Sequence, residues 1–199
     1  MRIYRCILFY LFFTSFHSIQ AQVIADFETP ALTPALSQGG AEVRANPDKT
    51  GNPSNYAAYY QKASGNWNAL YITFANDQSV GTNDRLTFKM YNSTVGRVYV
   101  KVDDGSTVLL ESWTPEYNFQ PAAGVWTQCS LDITKLKGQT FNKLEINASV
   151  DNTAVANVYL DDFKLSNSLS PNGEPILVLS VSSTQITAGQ SVHFDASAS

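Results

Sequence analysis

Hydrophobic and polar residues alternate along most of this chain in short runs, a pattern that is typical of β-strands with one buried face. Arg97–Val102 shows it clearly, because its three valines are separated by Tyr99 and Lys101. Clusters of turn-forming residues divide the runs, and Asp103–Ser106 is a hairpin turn of this kind. The pattern predicts about ten strands: Gln22–Glu28, Ala41–Asn46, Tyr56–Lys62, Ala69–Phe74, Arg85–Tyr91, Arg97–Val102, Thr107–Ser112, Val125–Ile133, Phe141–Val150 and Ala154–Leu165.

This number of short strands, without a long helical segment, predicts an all-β fold. A two-sheet antiparallel jelly-roll sandwich is the packing that suits it. We expect residues 22–166 to form this sandwich as one domain. Cys129 lies on the apolar face of its strand, so the pattern also predicts a buried and chemically inert thiol there.

The last predicted strand carries two adjacent acids, Asp161 and Asp162, within an apolar run. Carboxylates in such a strand are costly to bury unless a positive charge neutralises them, and no run of Lys or Arg lies nearby. The first strand, Gln22–Glu28, also closes on acids. We therefore expect the first and last strands to meet around a bound cation, and an all-oxygen site suits calcium. The alternative is that one of the two aspartates faces water at a strand end.

Composition excludes some classes of partner. The 199 residues carry a formal net charge of −4, and charged residues make up only 15% of the chain. A mildly acidic chain without a basic cluster is a poor nucleic-acid binder. Its 44% hydrophobic content is enough for one sizeable core, and the low charge favours an extracellular β-domain.

The N-terminus predicts export. Arg2 and Arg5 precede an apolar run that ends at Phe13 and is too short to cross a bilayer, and the small residue Ala21 follows a polar stretch. We expect residues 1–21 to be a secretory signal peptide, with no membrane association after cleavage and a secreted or cell-surface location. Cys129 would then be the one remaining cysteine, and a secreted domain without a disulfide favours stabilisation by a metal.

The C-terminal part changes in composition. Residues 167–175 have the character of a linker, and the strand-like pattern resumes at residue 176. Residues 176–199 are too few to close a second β-domain. We expect them to be its truncated start, and the jelly roll to be a monomeric domain of a larger chain.

Catalytic chemistry finds little support in the sequence. A glycosidase needs two carboxylates that flank one bond, whereas the acids here lie mainly in turns and at strand ends. His17 and His193 fall in the predicted signal peptide and in the tail, so a Ser-His-Asp site in the jelly roll is not expected. A lyase would need basic residues and tyrosines in one groove, and the 13 Lys and Arg residues are scattered.

Loop aromatics are the strongest functional signal. Trp67 with its neighbour Asn66, and Trp113 followed by Tyr117, lie in predicted loops where they can stack on sugar rings. The alternative is that either tryptophan caps the core at a sheet edge. Two functions follow from these alternatives. The chain is either a module that binds a polysaccharide or a structural or adhesive spacer without affinity for glycans.

Four short motifs carry a family resemblance: DFE at residues 26–28, NPDKTGNPS at 46–54, GVWTQCSLDITKLKG at 124–138 and VYLDDFKL at 158–165. Together they resemble a galactose-binding-like jelly roll, the fold of many non-catalytic carbohydrate-binding modules of secreted bacterial polysaccharide-degrading proteins. The tail resembles the start of a PKD domain, an immunoglobulin-like spacer, through Gly189, Val192, Phe194, Ala196 and Ser199.

The resemblance also implies a calcium site. In many relatives of this jelly roll, a structural calcium ion joins an acid of the first strand, oxygens of a loop and an acid of the last strand. Carried over to this chain, the ligands would be Glu28, Asp48 or other oxygens of the 46–52 loop, and Asp161 or Asp162. The loop departs from the expected pattern at Gly51–Ser54.

Overall fold

The computed structural model describes residues 21–38, 40–114, 119–167, 180–181 and 194–195. Two short 3₁₀ turns, Pro30–Leu32 and Thr134–Leu136, are the helical elements of these residues. All other regular elements there are strands. They are β1 (Gln22–Ala25), β2 (Ala35–Ser37), β3 (Glu42–Ala45), β4 (Tyr56–Lys62), β5 (Ala69–Ser79), β6 (Arg85–Asn92), β7 (Tyr99–Asp103), β8 (Val108–Trp113), β9 (Trp126–Asp132), β10 (Thr140–Asn147), β11 (Ala156–Ser166), β12 (Ser180–Val181) and β13 (Phe194–Asp195).

The first eleven strands form two antiparallel sheets. The six-stranded sheet has the order β3-β4-β11-β6-β9, with β1 also paired to β11. The five-stranded sheet has the order β2-β5-β10-β7-β8. Buried side chains from both sheets make one core, so the predicted all-β jelly-roll sandwich is confirmed.

Strict alternation builds this core. In β7, Val100 and Val102 are fully buried, whereas the residues between them face away from the core. On neighbouring strands of the six-stranded sheet, the buried rings of Phe88 and Phe163 stack with centroids 5.1 Å apart. Cys129 is buried among these side chains, as its strand pattern predicted, and burial raises the pKa of its thiol to about 12. A thiol in this state is neutral and unreactive at neutral pH.

The first and last strands pair, as predicted. β1 runs antiparallel to β11, with Gln22 opposite Leu165 and Ala25 opposite Phe163. The ladder between β11 and β6 is interrupted by a bulge between Asp161 and Lys164, where Asp162 has a φ of 54°. A bulge adds a residue to one strand and re-aims its side chains. It allows two adjacent aspartates to lie in a strand that is otherwise buried.

The pattern missed some local features. β5 continues to Ser79, five residues beyond its predicted end, and β2 forms inside a loop rich in proline and glycine. Pairing explains β2, because Ala35–Ser37 add to the edge of β5 and Leu36 packs against the core. A three-residue strand has too little alternation to be recognised from sequence.

Beyond residue 167 the structure describes only β12 and β13, which pair antiparallel. The predicted signal peptide, most of the linker and most of the PKD-like segment lie outside the described residues. Within the described part of the chain, no helix has the length and hydropathy needed to span a membrane.

Candidate functional site

The outer face of the five-stranded sheet brings exposed aromatic and charged side chains together. Because Val100 and Val102 point into the core, Tyr99, Lys101 and Asp103 of β7 point outward. The register places side chains of neighbouring strands in rows across this face. The first row is Asn147, Tyr99 and Trp113, and the second is Ser37, Tyr71, Glu145, Lys101 and Glu111.

Three aromatic rings meet at one end of this face, and we call Trp67, Tyr99 and Trp113 the aromatic cluster. The centroids are 4.9 Å apart for Tyr99 and Trp113, 5.4 Å for Trp67 and Tyr99, and 6.1 Å for Trp67 and Trp113. Trp67 is 60% exposed, and Trp113 is half-buried. These separations are those of interacting aromatic pairs. The cluster is therefore a fixed apolar surface open to solvent, and neither tryptophan belongs to the core.

Arg97 supports the cluster from one side. Its guanidinium carbon lies 4.6 Å from the centre of the Trp113 ring, within the range of a cation–π contact. Its Nε is 3.1 Å from Oδ2 of Asp151, and its main-chain N–H donates to Oδ1 of the same carboxylate at 2.8 Å. These contacts hold Arg97 in place against Trp113.

Charged side chains continue along the face from the aromatic cluster. Nζ of Lys101 lies 3.5 Å from a Glu145 oxygen, and Nζ of Lys143 lies 3.7 Å from an Asp103 oxygen. Lys143 also lies 5.1 Å from the centre of the Tyr71 ring. The face thus offers ammonium donors and carboxylate acceptors next to aromatic rings.

Tyr99 belongs to the aromatic cluster and lies next to the row of charged side chains on this face. Burial raises the pKa of its phenol, and the hydrogen bond and negative charge of Glu111 raise that pKa further. The hydroxyl therefore stays protonated well above neutral pH.

The loop that carries Trp67, residues 63–68, is tied down from the inside. Lys62 is fully buried, and its ammonium donates to the carbonyl oxygens of Gly65 at 2.6 Å and Asn152 at 2.8 Å, with those of Ala63 and Ala154 at 3.3 Å. The Gly65 N–H also donates to the carbonyl of Thr153 at 3.1 Å. A buried ammonium among carbonyl oxygens links this loop to the 150–155 segment. It fixes the position of Trp67.

The structure confirms the predicted location of some ligand-binding residues and changes that of others. Trp67 and its exposed neighbour Asn66 lie in the loop before β5, as predicted. Trp113 was placed in a loop, but it is the last residue of β8 and pairs with Tyr99. Tyr117 lies outside the described residues.

Tyr99, Lys101 and Glu145 were not among the predicted site residues. The alternation of Arg97–Val102 marks Tyr99 and Lys101 as outward-facing, so part of the signal was present in the sequence. That they share a face with Trp67 depends on strand register.

The acids of the last strand form a second cluster, on the outer side of the six-stranded sheet. Asp161 is fully buried; Nδ2 of Asn52 donates to it at 2.7 Å, and the Asp162 N–H donates to it at 2.8 Å. Burial raises the pKa of the Asp161 carboxyl, and hydrogen bonds from Asn52 and Ser54 lower it in part. Lys89 lies 3.0 Å from Asp162 and 3.3 Å from the side-chain oxygen of Asn52.

Lys89 corrects one premise of the sequence reasoning. The chain does place a cation beside the paired acids, because β6 brings Lys89 opposite Asp161 in the sheet. Lys164 adds a second cation 3.9 Å from Asp162. Lys89 was not recognisable as a partner because it is distant in sequence, whereas Lys164 lies only two residues after Asp162.

The other two predicted calcium ligands are engaged elsewhere. Glu28 accepts hydrogen bonds from the main-chain N–H groups of Asn55 and Tyr56, and the bond from Tyr56 is the main reason that the pKa of Glu28 is lowered. Asp48 accepts from the N–H of Thr50 at 2.8 Å. Among the described residues, no three His, Cys, Asp or Glu side chains gather as a metal-binding group. The four acids therefore do not form one cluster. Asn52 and Ser54 lie beside Asp161, but Asn52 presents its amide N–H and not its oxygen to this carboxylate.

Trp126 fixes the loop that covers these acids. Its indole N–H donates to Oδ1 of Asn46 at 3.1 Å and to the Asp48 carbonyl at 2.6 Å. Its ring lies 5.8 Å from that of Tyr91. These contacts give Trp126 a structural role.

Comparison with known proteins identifies the fold. No protein-family model matches the chain, and no curated protein does either. Among solved structures, the family 11 carbohydrate-binding module of the cellulosomal cellulase Lic26A-Cel5E of Clostridium thermocellum is similar, with a TM-score of 0.50 and 12% identity over 76% of this chain and 96% of that one. An exo-β-agarase is similar with a TM-score of 0.54 and 13% identity, over 77% of this chain and 25% of the agarase. At these identities the likeness shows the jelly-roll sandwich.

A structure of the Clostridium thermocellum family 11 module in complex with a β-1,3-1,4-mixed-linked tetrasaccharide is also similar. Its TM-score is 0.50, with 11% identity over 75% of this chain and 97% of that one. The match covers nearly the whole length of that module.

Proposed function

We propose that this chain is a non-catalytic carbohydrate-binding module of a secreted protein, and that it binds a polysaccharide on the outer face of the five-stranded sheet. One observation carries the proposal. Trp67, Tyr99 and Trp113 come from three separate segments and meet as an exposed aromatic cluster. A folded domain rarely exposes aromatic surface in this way unless it binds something.

The chemistry of the face suits a sugar polymer. Apolar C–H surfaces of sugar rings stack on aromatic side chains, while charged and amide groups bond the hydroxyls. Lys101 and Glu145 supply donors and acceptors directly beside the aromatic cluster. The fold itself supports the proposal, because it is the fold of carbohydrate-binding modules in the comparisons.

Substitution of the exposed tryptophan tests the proposal. A stacking aromatic contributes roughly 1–3 kcal/mol in the related case of nucleic-acid bases, so Trp67→Ala should weaken binding about tenfold. Trp113→Ala should weaken binding as well. It should also cost some stability, because Trp113 is half-buried and Arg97 packs on its ring. Binding is measured by affinity electrophoresis of the full chain on soluble glucans, xylans, mannans and galactans.

Tyr56→Ala is the matched control. Tyr56 is 50% exposed on β4 of the other sheet, so its removal should leave binding unchanged. If Tyr56→Ala weakens binding and Trp67→Ala does not, the site lies on the six-stranded sheet. Retardation of the unsubstituted chain by none of the glycans would favour the alternative function, a structural or adhesive spacer.

Calcium remains part of the proposal as a structural ion. Its support is the buried Asp161 carboxylate, whose pKa burial raises, beside the oxygens of Asn52 and Ser54. The Asn52 amide would have to turn its oxygen toward the ion in place of its N–H. Lys89 competes for the same place, because it lies within 3.3 Å of the Asn52 oxygen.

Export and domain context complete the proposal. The N-terminal pattern supports a secreted or surface location, and the PKD-like motif of the tail supports a spacer domain after the jelly roll. Mass spectrometry of the mature N-terminus of the secreted product tests the first point. Gln22 as the first residue is expected.

A further inference from the structure

The charges on the outer face of the five-stranded sheet are paired within the protein. Lys101 lies against Glu145, Lys143 against Asp103, and Arg97 against Asp151. A fourth acid, Glu111, lies opposite Lys101 in the register and lines a cavity of about 400 Å³ with Lys135 at the β8 edge. Among the described residues on and beside this face, three cations therefore pair with three carboxylates, and Glu111 adds a fourth acid.

This pairing has a consequence for the ligand. A polyanion is recognised through cations whose charge is available to it, and here Arg97, Lys101 and Lys143 each lie 3.1 to 3.7 Å from a carboxylate. An anionic sugar would have to displace that carboxylate or lie beside it, and like charges in contact cost affinity. A basic residue that serves an anionic ligand would have no such partner.

An uncharged sugar meets no such obstacle. Each ammonium has three N–H donors, and each carboxylate has acceptor positions beyond those used in its ion pair. Hydroxyl groups can therefore donate to Glu145 or Glu111 and accept from Lys101 without separating the pairs. The Tyr99 hydroxyl is a further donor on the same face, in the row of side chains next to Lys101 and Glu111.

We infer that this face selects uncharged polysaccharides and discriminates against those that carry carboxylate or sulfate groups. The inference rests on the proposed function, since it names the class of glycan for that same site. The observation that supports it is that Lys101 lies opposite Glu145, and Lys143 opposite Asp103, on the neighbouring strand.

Glycans of matched backbone test it. Hydroxyethyl cellulose and carboxymethyl cellulose differ in charge, as do agarose and chemically sulfated agarose, and both pairs are used in affinity electrophoresis of the full chain together with neutral xylan and galactomannan. For each backbone that binds, the charged member should bind at least about tenfold more weakly. Affinity for the neutral member should change less than about twofold between 50 and 500 mM NaCl, because no net charge is neutralised on binding.

One substitution should reverse the selectivity in part. Glu145→Gln leaves Lys101 without its close partner, so the affinity for the charged member should increase relative to the affinity for the neutral member, which loses a carboxylate acceptor. Glu42→Gln is the control, because Glu42 pairs with Arg44 on the other sheet and the change in net charge is the same. A gain with Glu42→Gln equal to that with Glu145→Gln would attribute the effect to net charge and overturn the inference.

The failures are distinguishable. Equal or tighter binding of the charged member, lost on addition of salt, overturns the inference and leaves the carbohydrate-binding function standing. Binding of none of the glycans overturns the proposed function and the inference with it.

Discussion

Lys62→Met removes the ammonium that holds the loop of Trp67 from below. Lys62 is completely buried, and its two closest acceptors, the carbonyls of Gly65 and Asn152, lie in two different loops. Methionine fills nearly the same volume and keeps an unbranched stem, but it has no donor. The substitution therefore disconnects the two loops with little change in packing.

The expected loss of stability follows from two opposing contributions. A hydrogen bond from a charged group contributes about 1.5–3 kcal/mol, so the two short bonds contribute about 3–6 kcal/mol together. Burial of the ammonium opposes this, which is also why the pKa of Lys62 is lowered, and methionine avoids that desolvation. The net loss should be about 2–3 kcal/mol of unfolding free energy. For a domain of this size that is a fall in Tm of about 5–10 °C.

The effect on glycan binding distinguishes a positioning role from a merely structural one. A loop freed from Lys62 must be ordered on binding, so affinity should fall by up to the contribution of Trp67, about tenfold. Affinity is measured by titration calorimetry at least about 20 °C below the Tm of the variant, so that all the protein is folded. Tyr60→Phe is the matched control. It removes a buried hydroxyl that donates to the Asn68 carbonyl at 3.3 Å but leaves the ammonium in place, so its effect should be smaller.

A double-mutant cycle tests whether Lys62 affects binding through Trp67. If Lys62 acts through Trp67, Lys62→Met should have almost no further effect on affinity in the Trp67→Ala background. The reasoning is refuted if Lys62→Met leaves affinity unchanged, or if it weakens binding equally with and without Trp67.

The remaining predictions concern metal, pH and the close approach of two loops. If a structural calcium ion is bound, EDTA should lower the Tm and added calcium should restore it; Asp161→Asn should abolish that response, and no response in the unsubstituted chain would leave Lys89 as the partner of the acids. Without a metal, the raised pKa of Asp161 means that the folded state holds its proton more tightly than the unfolded state. The stability that this group contributes is therefore full below its ordinary pKa of 3.8 and decreases as pH rises through the folded-state pKa. Asp161→Asn should therefore flatten the dependence of Tm on pH between pH 3.8 and the weakly acidic range. Gly96→Ala should cost about 1–3 kcal/mol in urea unfolding, because its Cβ would lie 2.4 Å from Cα of Ser149. Gly138→Ala, which meets no atom within 4 Å and is strained only by its φ of 76°, is the control and should cost about 1–2 kcal/mol or less; a larger loss for Gly138→Ala would contradict the steric argument.

Much of the fold was determined by local pattern. Alternation in Arg97–Val102 predicted which valines are buried, and the apolar run around Cys129 predicted a buried thiol. The acids near both ends of the domain led to the expectation that the first and last strands meet, and β1 does pair with β11. These features depend on which face of a strand is apolar, and the side-chain period of two displays that directly in sequence.

The site depended on long-range pairing. Tyr99, Trp67 and Trp113 meet because β7 pairs with β8 and because Lys62 ties the Trp67 loop to a segment about 90 residues away in sequence. The cation beside Asp162 came from β6, and the register of β6 against β11 brought Lys89 there. Strand order and register are set by the packing of the whole core rather than by any one segment. The sequence could therefore nominate exposed aromatics and costly acids, but only the tertiary structure decided which side chains they meet.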